Sequence, residues 1–74
     1  MKEQLIQIAA ELGWEEVVPQ RNPVMISFCQ DYGMNPRVNV YFTTMTVSVQ
    51  YKSGKASYHK DVTLEEFREI LNNL

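Results

Sequence analysis

His59 is the one histidine in this chain and its candidate general base. Nucleophilic chemistry would place a Ser, Thr or Cys within hydrogen-bond reach of that imidazole, with a third group to orient it. A tight hairpin in the second half of the chain can set Ser48 opposite His59. Asp61, two residues on, would share its face and pair across to Thr46. These residues exhaust the candidates for a hydrolytic or ribonuclease-like set, and a histidine on a solvated strand is far more often exposed than catalytic. Cys29 has no second cysteine and no histidine close in sequence, so it reads as a small buried hydrophobe rather than a reactive thiol. One histidine and one cysteine make no zinc-type ligand cluster. The glycines at Gly13, Gly33 and Gly54 are scattered rather than gathered into a phosphate-cradling loop. Neither a metal nor a cofactor is expected.

The stretch Arg37 to Ser57 carries the more informative pattern. Side chains on a strand alternate between faces. Val38, Val40 and Phe42 share one parity; Val47, Val49 and Tyr51 have the other, so a turn or a bulge must lie between. A two-residue turn at Thr44-Met45 sets Phe42 opposite Val47, Val40 opposite Val49 and Val38 opposite Tyr51. A bulge within one long bent strand is the alternative, because neither turn residue favours positive φ. A second tight turn at Ser53-Gly54 then sets Tyr51 opposite Ala56 and Val49 opposite Tyr58. The other face collects Arg37, Asn39 and Tyr41, then Ser48, Gln50 and Lys52, then Lys55 and His59, with Tyr41, Ser48 and His59 in one row. It is polar and partly basic, and it holds an aromatic. The simplest account is the solvated side of a one-sided antiparallel sheet.

The elements that must position this face are legible on either side of it. Leu5, Ile8, Ala9 and Leu12 recur at helical spacing over about Lys2 to Leu12. Gly13 is placed to cap that helix, with Trp14 folding back on its last turn. Glu15 to Val18 can start a short strand, and Pro19 to Pro23 is a loop. Val24 to Gln30 reads as a strand, with Val24, Ile26 and Phe28 toward the core and Met25, Ser27 and Cys29 away from it. Asp31 to Pro36 is turn chemistry. Thr63 with Glu66 forms a capping box, and Val62 with Phe67 a hydrophobic staple, so a last helix begins at Thr63. Its stripe of Leu64, Phe67, Ile70, Leu71 and Leu74 faces the sheet. The expected fold is α+β: a single domain over 1–74, a two-layer sandwich of helix, antiparallel meander of three to four strands, and helix, with both helices on one sheet face.

Composition bounds the function classes. The chain has 74 residues, 45% of them hydrophobic and 22% charged, as in a globular domain with one modest core. No apolar run reaches the roughly 20 residues that span a bilayer. The segment from Met1 to Gln4 reads as the start of a polar helix rather than of a signal peptide, so a cytoplasmic setting is expected. The net charge of −2 argues against a generic nucleic-acid binder, but it hides a segregation. Pro19 to Lys60 carries +4 and the remainder −6. Strands thus hold most cations and helices most anions, a dipolar surface that could orient an anionic partner against the sheet.

The order helix, antiparallel strands, helix resembles the double-stranded-RNA-binding domain and the toxin family known as HicA. The functional residues of both are missing. Lys60-Asp61-Val62-Thr63-Leu64-Glu65-Glu66 stands where the first family has a lysine cluster. Val24-Met25-Ile26-Ser27-Phe28-Cys29 stands where the second has a histidine. Val38-Asn39-Val40-Tyr41-Phe42-Thr43-Thr44, with Thr46-Val47, resembles a segment of short, functionally uncharacterised proteins in which the Met45 position is commonly glycine. That resemblance implies a turn at Thr44-Met45 and no activity.

These observations point to a small non-enzymatic binding module. Its open sheet face, through Arg37, Asn39, Tyr41, Ser48, Gln50, Lys52, Lys55 and His59, suits single-stranded nucleic acid, because every base offers a π-face to an exposed aromatic. The alternative is a protein-interaction or inhibitor role, such as a phage-type inhibitor of a nucleic-acid enzyme. It would act through the acidic helices or through loops bearing Arg21, Tyr32 and Met34. No membrane partner is implied, and a free sheet edge could pair two copies as a homodimer.

Overall fold

The computed structural model describes residues 1–30 and 36–74. It contains α1 (Lys2–Glu11), β1 (Glu15–Glu16), β2 (Met25–Cys29), β3 (Arg37–Tyr41), β4 (Thr46–Gln50), β5 (Ala56–His59) and α2 (Leu64–Asn72). The strands form one five-stranded antiparallel sheet in the order β1-β2-β3-β4-β5. The α+β class is as expected. The meander has one strand more than the three to four anticipated, because Glu15–Glu16 pairs with Phe28 and Cys29.

α1 buries Leu5, Ile8 and Ala9, one face of the helix. It ends as Gly13 was expected to end it. Gly13 sits at φ +84°, its N–H donates to the Ala10 carbonyl at 3.1 Å, and the Trp14 N–H donates to the Ala9 carbonyl at 2.8 Å. This is the Schellman pairing, which satisfies two orphan carbonyls and turns Trp14 into the core, where it is 2% exposed. At the other end of the chain the Thr63 Oγ1 accepts from the Glu66 N–H at 3.1 Å, and the Thr63 N–H donates to Glu66 Oε1 at 3.0 Å. The capping box is complete, and Val62 and Phe67 on either side of it are buried.

Between the helices and one face of the sheet lies a single core. It joins Leu5, Ile8, Ala9 and Trp14 to Ile26, Phe28, Val38, Val40, Val47 and Val49, and these to Val62, Phe67 and Leu71. The Phe28 and Phe67 rings meet at 5.9 Å between centroids, tilted by 49°. Outside the core, Arg68 bridges to Glu11 at 3.2 Å and ties the exposed sides of α2 and α1 together.

Register is where the structure departs from the sequence reading. The β3–β4 connection is the four residues Phe42–Met45 rather than a two-residue turn, so Val40 pairs with Val47 and Val38 with Val49. Met45 takes φ +54° in it. The shift is even, so no side chain changes face. The β4–β5 connection is the three residues Lys52, Ser53 and Gly54. The Gly54 N–H donates to the Tyr51 carbonyl at 3.0 Å, the Tyr51 N–H donates to the Lys55 carbonyl at 2.9 Å, and Gly54 adopts φ +91°. This is a turn closed by a left-handed glycine, the common three-residue hairpin. It is one residue longer than expected, and the odd shift turns β5 over. Tyr58, expected on the apolar face opposite Val49, instead pairs with Ser48, while His59 pairs with Val47. Val24, expected in the core, precedes β2 and is 38% exposed.

Candidate functional site

The sheet face turned away from the core is assembled from alternate residues of all five strands. Its central row follows from the register: Ser27 opposite Asn39, Asn39 opposite Ser48, Ser48 opposite Tyr58. One flanking row runs Met25, Tyr41, Thr46, and the other Glu15, Cys29, Arg37, Gln50, Ala56.

Small polar side chains form the floor of this face, and they are spent on one another. The Ser27 hydroxyl donates to Asn39 Oδ1 at 2.7 Å, and Gln20 Nε2, from the loop after β1, donates to Ser27 Oγ at 3.1 Å. Gln20 is held in turn by its Oε1, which accepts from the Asn22 N–H at 3.0 Å. Ser27, Asn39 and Ser48 are all buried. A buried hydroxyl and amide need such partners, since leaving either unsatisfied costs about 1–3 kcal/mol.

The eight residues singled out on the open face therefore divide. Arg37, Tyr41 and Gln50 lie on it and reach solvent, Arg37 and Tyr41 half-buried and Gln50 exposed. Asn39 and Ser48 lie on it too but are buried, so they support the surface rather than meet a ligand. Lys52 is exposed in the β4–β5 turn, whereas Lys55, paired with Tyr51 and next to outward-facing Ala56, is carried by the register shift to the helix side with His59. His59 belongs to the opposite face, and Tyr58, which the sequence reading had put in the core, takes its place at 69% exposure. The pattern Lys52-Ser53-Gly54, with glycine third, was the available signal for this register. Arg37 Nε is buried and meets no hydrogen-bond partner among the described residues. Of the loop residues, Arg21 is exposed, and Tyr32 and Met34 lie outside the described residues.

The same register separates Ser48 from His59, which now point to opposite faces. The hydrolytic arrangement weighed from the sequence is thus not assembled on β4 and β5. His59 Nε2 instead lies 3.5 Å from Ser57 Oγ, its neighbour along the strand, with His59 exposed and Ser57 partly so. Among the described residues no group of three or more His, Cys, Asp or Glu side chains is arranged to hold a metal ion.

No protein-family model, curated protein or solved structure matches this chain. Its reading therefore rests on its own surfaces.

On the helix side, β5 extends beyond the cover that the helices provide. A groove of ≈ 320 Å³ runs between β5 and α2, lined by His59, Lys60, Val62, Glu66, Ile70 and Asn73 among others. A second hollow of ≈ 180 Å³ continues it past Tyr51 and Leu74. No helix of the described residues is long and apolar enough to cross a membrane.

Proposed function

We propose that this chain is a small binding protein that takes single-stranded nucleic acid across the outer face of its sheet. Tyr58 and Tyr41 stack on bases, and Arg37 and Lys52 stand near the phosphates. The observation that carries this reading is the exposure of Tyr58, 69% accessible in the middle row of a face that also bears Tyr41 and Arg37. An exposed aromatic on a sheet with cations at its margin binds bases without regard to sequence, and each stacked base contributes about 1–3 kcal/mol. The acidic side chains of α2, Glu65, Glu66 and Glu69, are exposed on the helical layer. Most of the repulsive charge thus sits on the layer that the strand would avoid, with Glu15 at the β1 edge the exposed carboxylate that shares the row of Arg37. Flexible single strands are favoured over duplex, because stacking on a sheet needs unpaired bases.

The reading is tested by titrating short labelled RNA and DNA oligomers, single-stranded and duplex, into the protein at several salt concentrations. Binding of single strands that weakens as salt rises supports it, with a slope set by the few phosphates neutralised. Absence of binding at about 50 mM salt, or affinity indifferent to salt, removes it.

A further inference from the structure

The groove between β5 and α2 and the hollow that continues it form one trough on the helix side of the sheet, and its two ends differ in character. His59, Ile70 and Asn73 line both parts and so mark the join. Beyond them on one side stand Lys60, Glu66 and Glu69, and on the other Val49, Tyr51 and Leu74. One end is charged and the other largely apolar. Asn73, the C-cap of α2, lies four residues beyond Glu69, a rise of about 6 Å. A single large side chain is long enough to run from the charged end into the apolar one.

The charged end holds both signs on opposite walls. Lys60 follows β5, whereas Glu66 and Glu69 belong to α2. All three are exposed, and none is in an ion pair, the salt bridge among the described residues being that of Arg68 with Glu11. Glu66 Oε1 accepts from the Thr63 N–H, which leaves Glu66 Oε2 and the Glu69 carboxylate for a ligand. An amine without an acid group would meet Lys60, and an acid without an amine would meet two carboxylates. A molecule bearing an ammonium and a carboxylate on one carbon meets each charge with its opposite. We propose that the trough is a second binding site, for a free α-amino acid with a large apolar side chain. Its ammonium lies by Glu66 and Glu69, its carboxylate against Lys60, and its side chain in the hollow of Val49, Tyr51, Ile70 and Leu74. Charge complementarity orients the molecule, and burial of the side chain supplies most of the affinity. The two volumes, ≈ 320 Å³ and ≈ 180 Å³, are at the small end for ligand sites and suit a small molecule. Because the charged groups are exposed, each pair contributes modestly and binding is weak. The site lies across the sheet from Tyr41 and Tyr58, and the inference does not depend on nucleic-acid binding.

Titration of phenylalanine into the full chain, freed of nucleic acid, from about 10 μM to about 10 mM tests the site, read by nuclear magnetic resonance shifts of the assigned amides. The expected result is saturable shifts at His59, Lys60, Ile70 and Asn73 with Tyr41 and Gln50 unmoved. Phenylalaninamide, which lacks the anion, and N-acetylphenylalanine, which lacks the cation, each bind about three- to fivefold more weakly. Glycine, which lacks the side chain, binds weaker by about tenfold or more. Two substitutions at exposed positions then exchange the preference. Glu69→Lys weakens phenylalanine and strengthens N-acetylphenylalanine, and Lys60→Glu weakens phenylalanine and strengthens phenylalaninamide. Absence of trough shifts up to about 10 mM, or equal affinity for phenylalanine and its two blocked forms, overturns the proposal. So does a preference that neither variant moves. Should a variant disturb the circular dichroism, the comparison of ligands on the parent chain decides alone.

Discussion

Ser48 lies directly opposite Tyr58 across β4 and β5. His59, one residue on, is thereby sent to the helix side of the sheet. The consequence reaches function: an aromatic replaces an imidazole at the end of the polar row that begins at Gln20 and Ser27.

Tyr58 and His59 should therefore differ when each is truncated. Tyr58→Ala is expected to weaken single-strand binding by about 5- to 100-fold, the loss of one stacked base. His59→Ala should leave the affinity within about twofold, since its side chain is on the other face. Oligomer titrations on the two variants, run side by side, check this, and a larger loss from His59→Ala would contradict the register.

Ser27→Ala should cost about 1–3 kcal/mol in urea unfolding. The substitution removes the donor to Asn39 Oδ1 and the acceptor for Gln20 Nε2, and it leaves polar groups at a buried site without partners. Arg68→Ala, which breaks only the exposed bridge to Glu11, should cost under about 1 kcal/mol.

Thr63→Ala should lower stability by about 1 kcal/mol, the usual worth of an N-cap side chain. Both hydrogen bonds of the box involve Thr63 and Glu66. The double variant with Glu66→Ala is therefore expected to lose less than the two single losses combined, a coupling that a double-mutant cycle in thermal unfolding measures.

Met45 occupies φ +54°, a region that costs a side-chain-bearing residue roughly 1–2 kcal/mol. Its side chain packs against the core, and its carbonyl accepts from the Val62 N–H at 2.9 Å. Met45→Gly trades that packing for relief of the backbone and should fall within about 1 kcal/mol of the parent. Met45→Val, β-branched in the same conformation, should lose more. Chemical denaturation of the two variants gives the order directly.

Local rules made much of the fold legible. Gly13 with Trp14, and Thr63 with Glu66, mark helix ends through side-chain and backbone chemistry confined to a few residues, and the structure forms both. The alternation of Val38, Val40, Val47 and Val49 identified the buried face whatever the loop between them, since a four-residue connection leaves the same parity as a two-residue one. The fate of β5 was not legible in that way. Lys52-Ser53-Gly54 and Ser53-Gly54 are both acceptable turns around a positive-φ glycine, and the choice between them exchanges Tyr58 for His59. β5 supplies nothing to the buried core, so no run of apolar residues was available to decide it. The bond from Gln20 to Ser27 was hidden for a different reason: Gln20 reaches Ser27 from a loop outside the strand pattern.

The most direct test of the account is nuclear magnetic resonance mapping of a short single-stranded oligomer onto the assigned protein. The account predicts that amide and side-chain shifts concentrate at Tyr41, Thr46, Gln50 and Tyr58, while His59, Ile70 and Asn73 in the groove beside α2 stay in place. Shifts centred on that groove, or a spectrum unchanged by the oligomer, would contradict it.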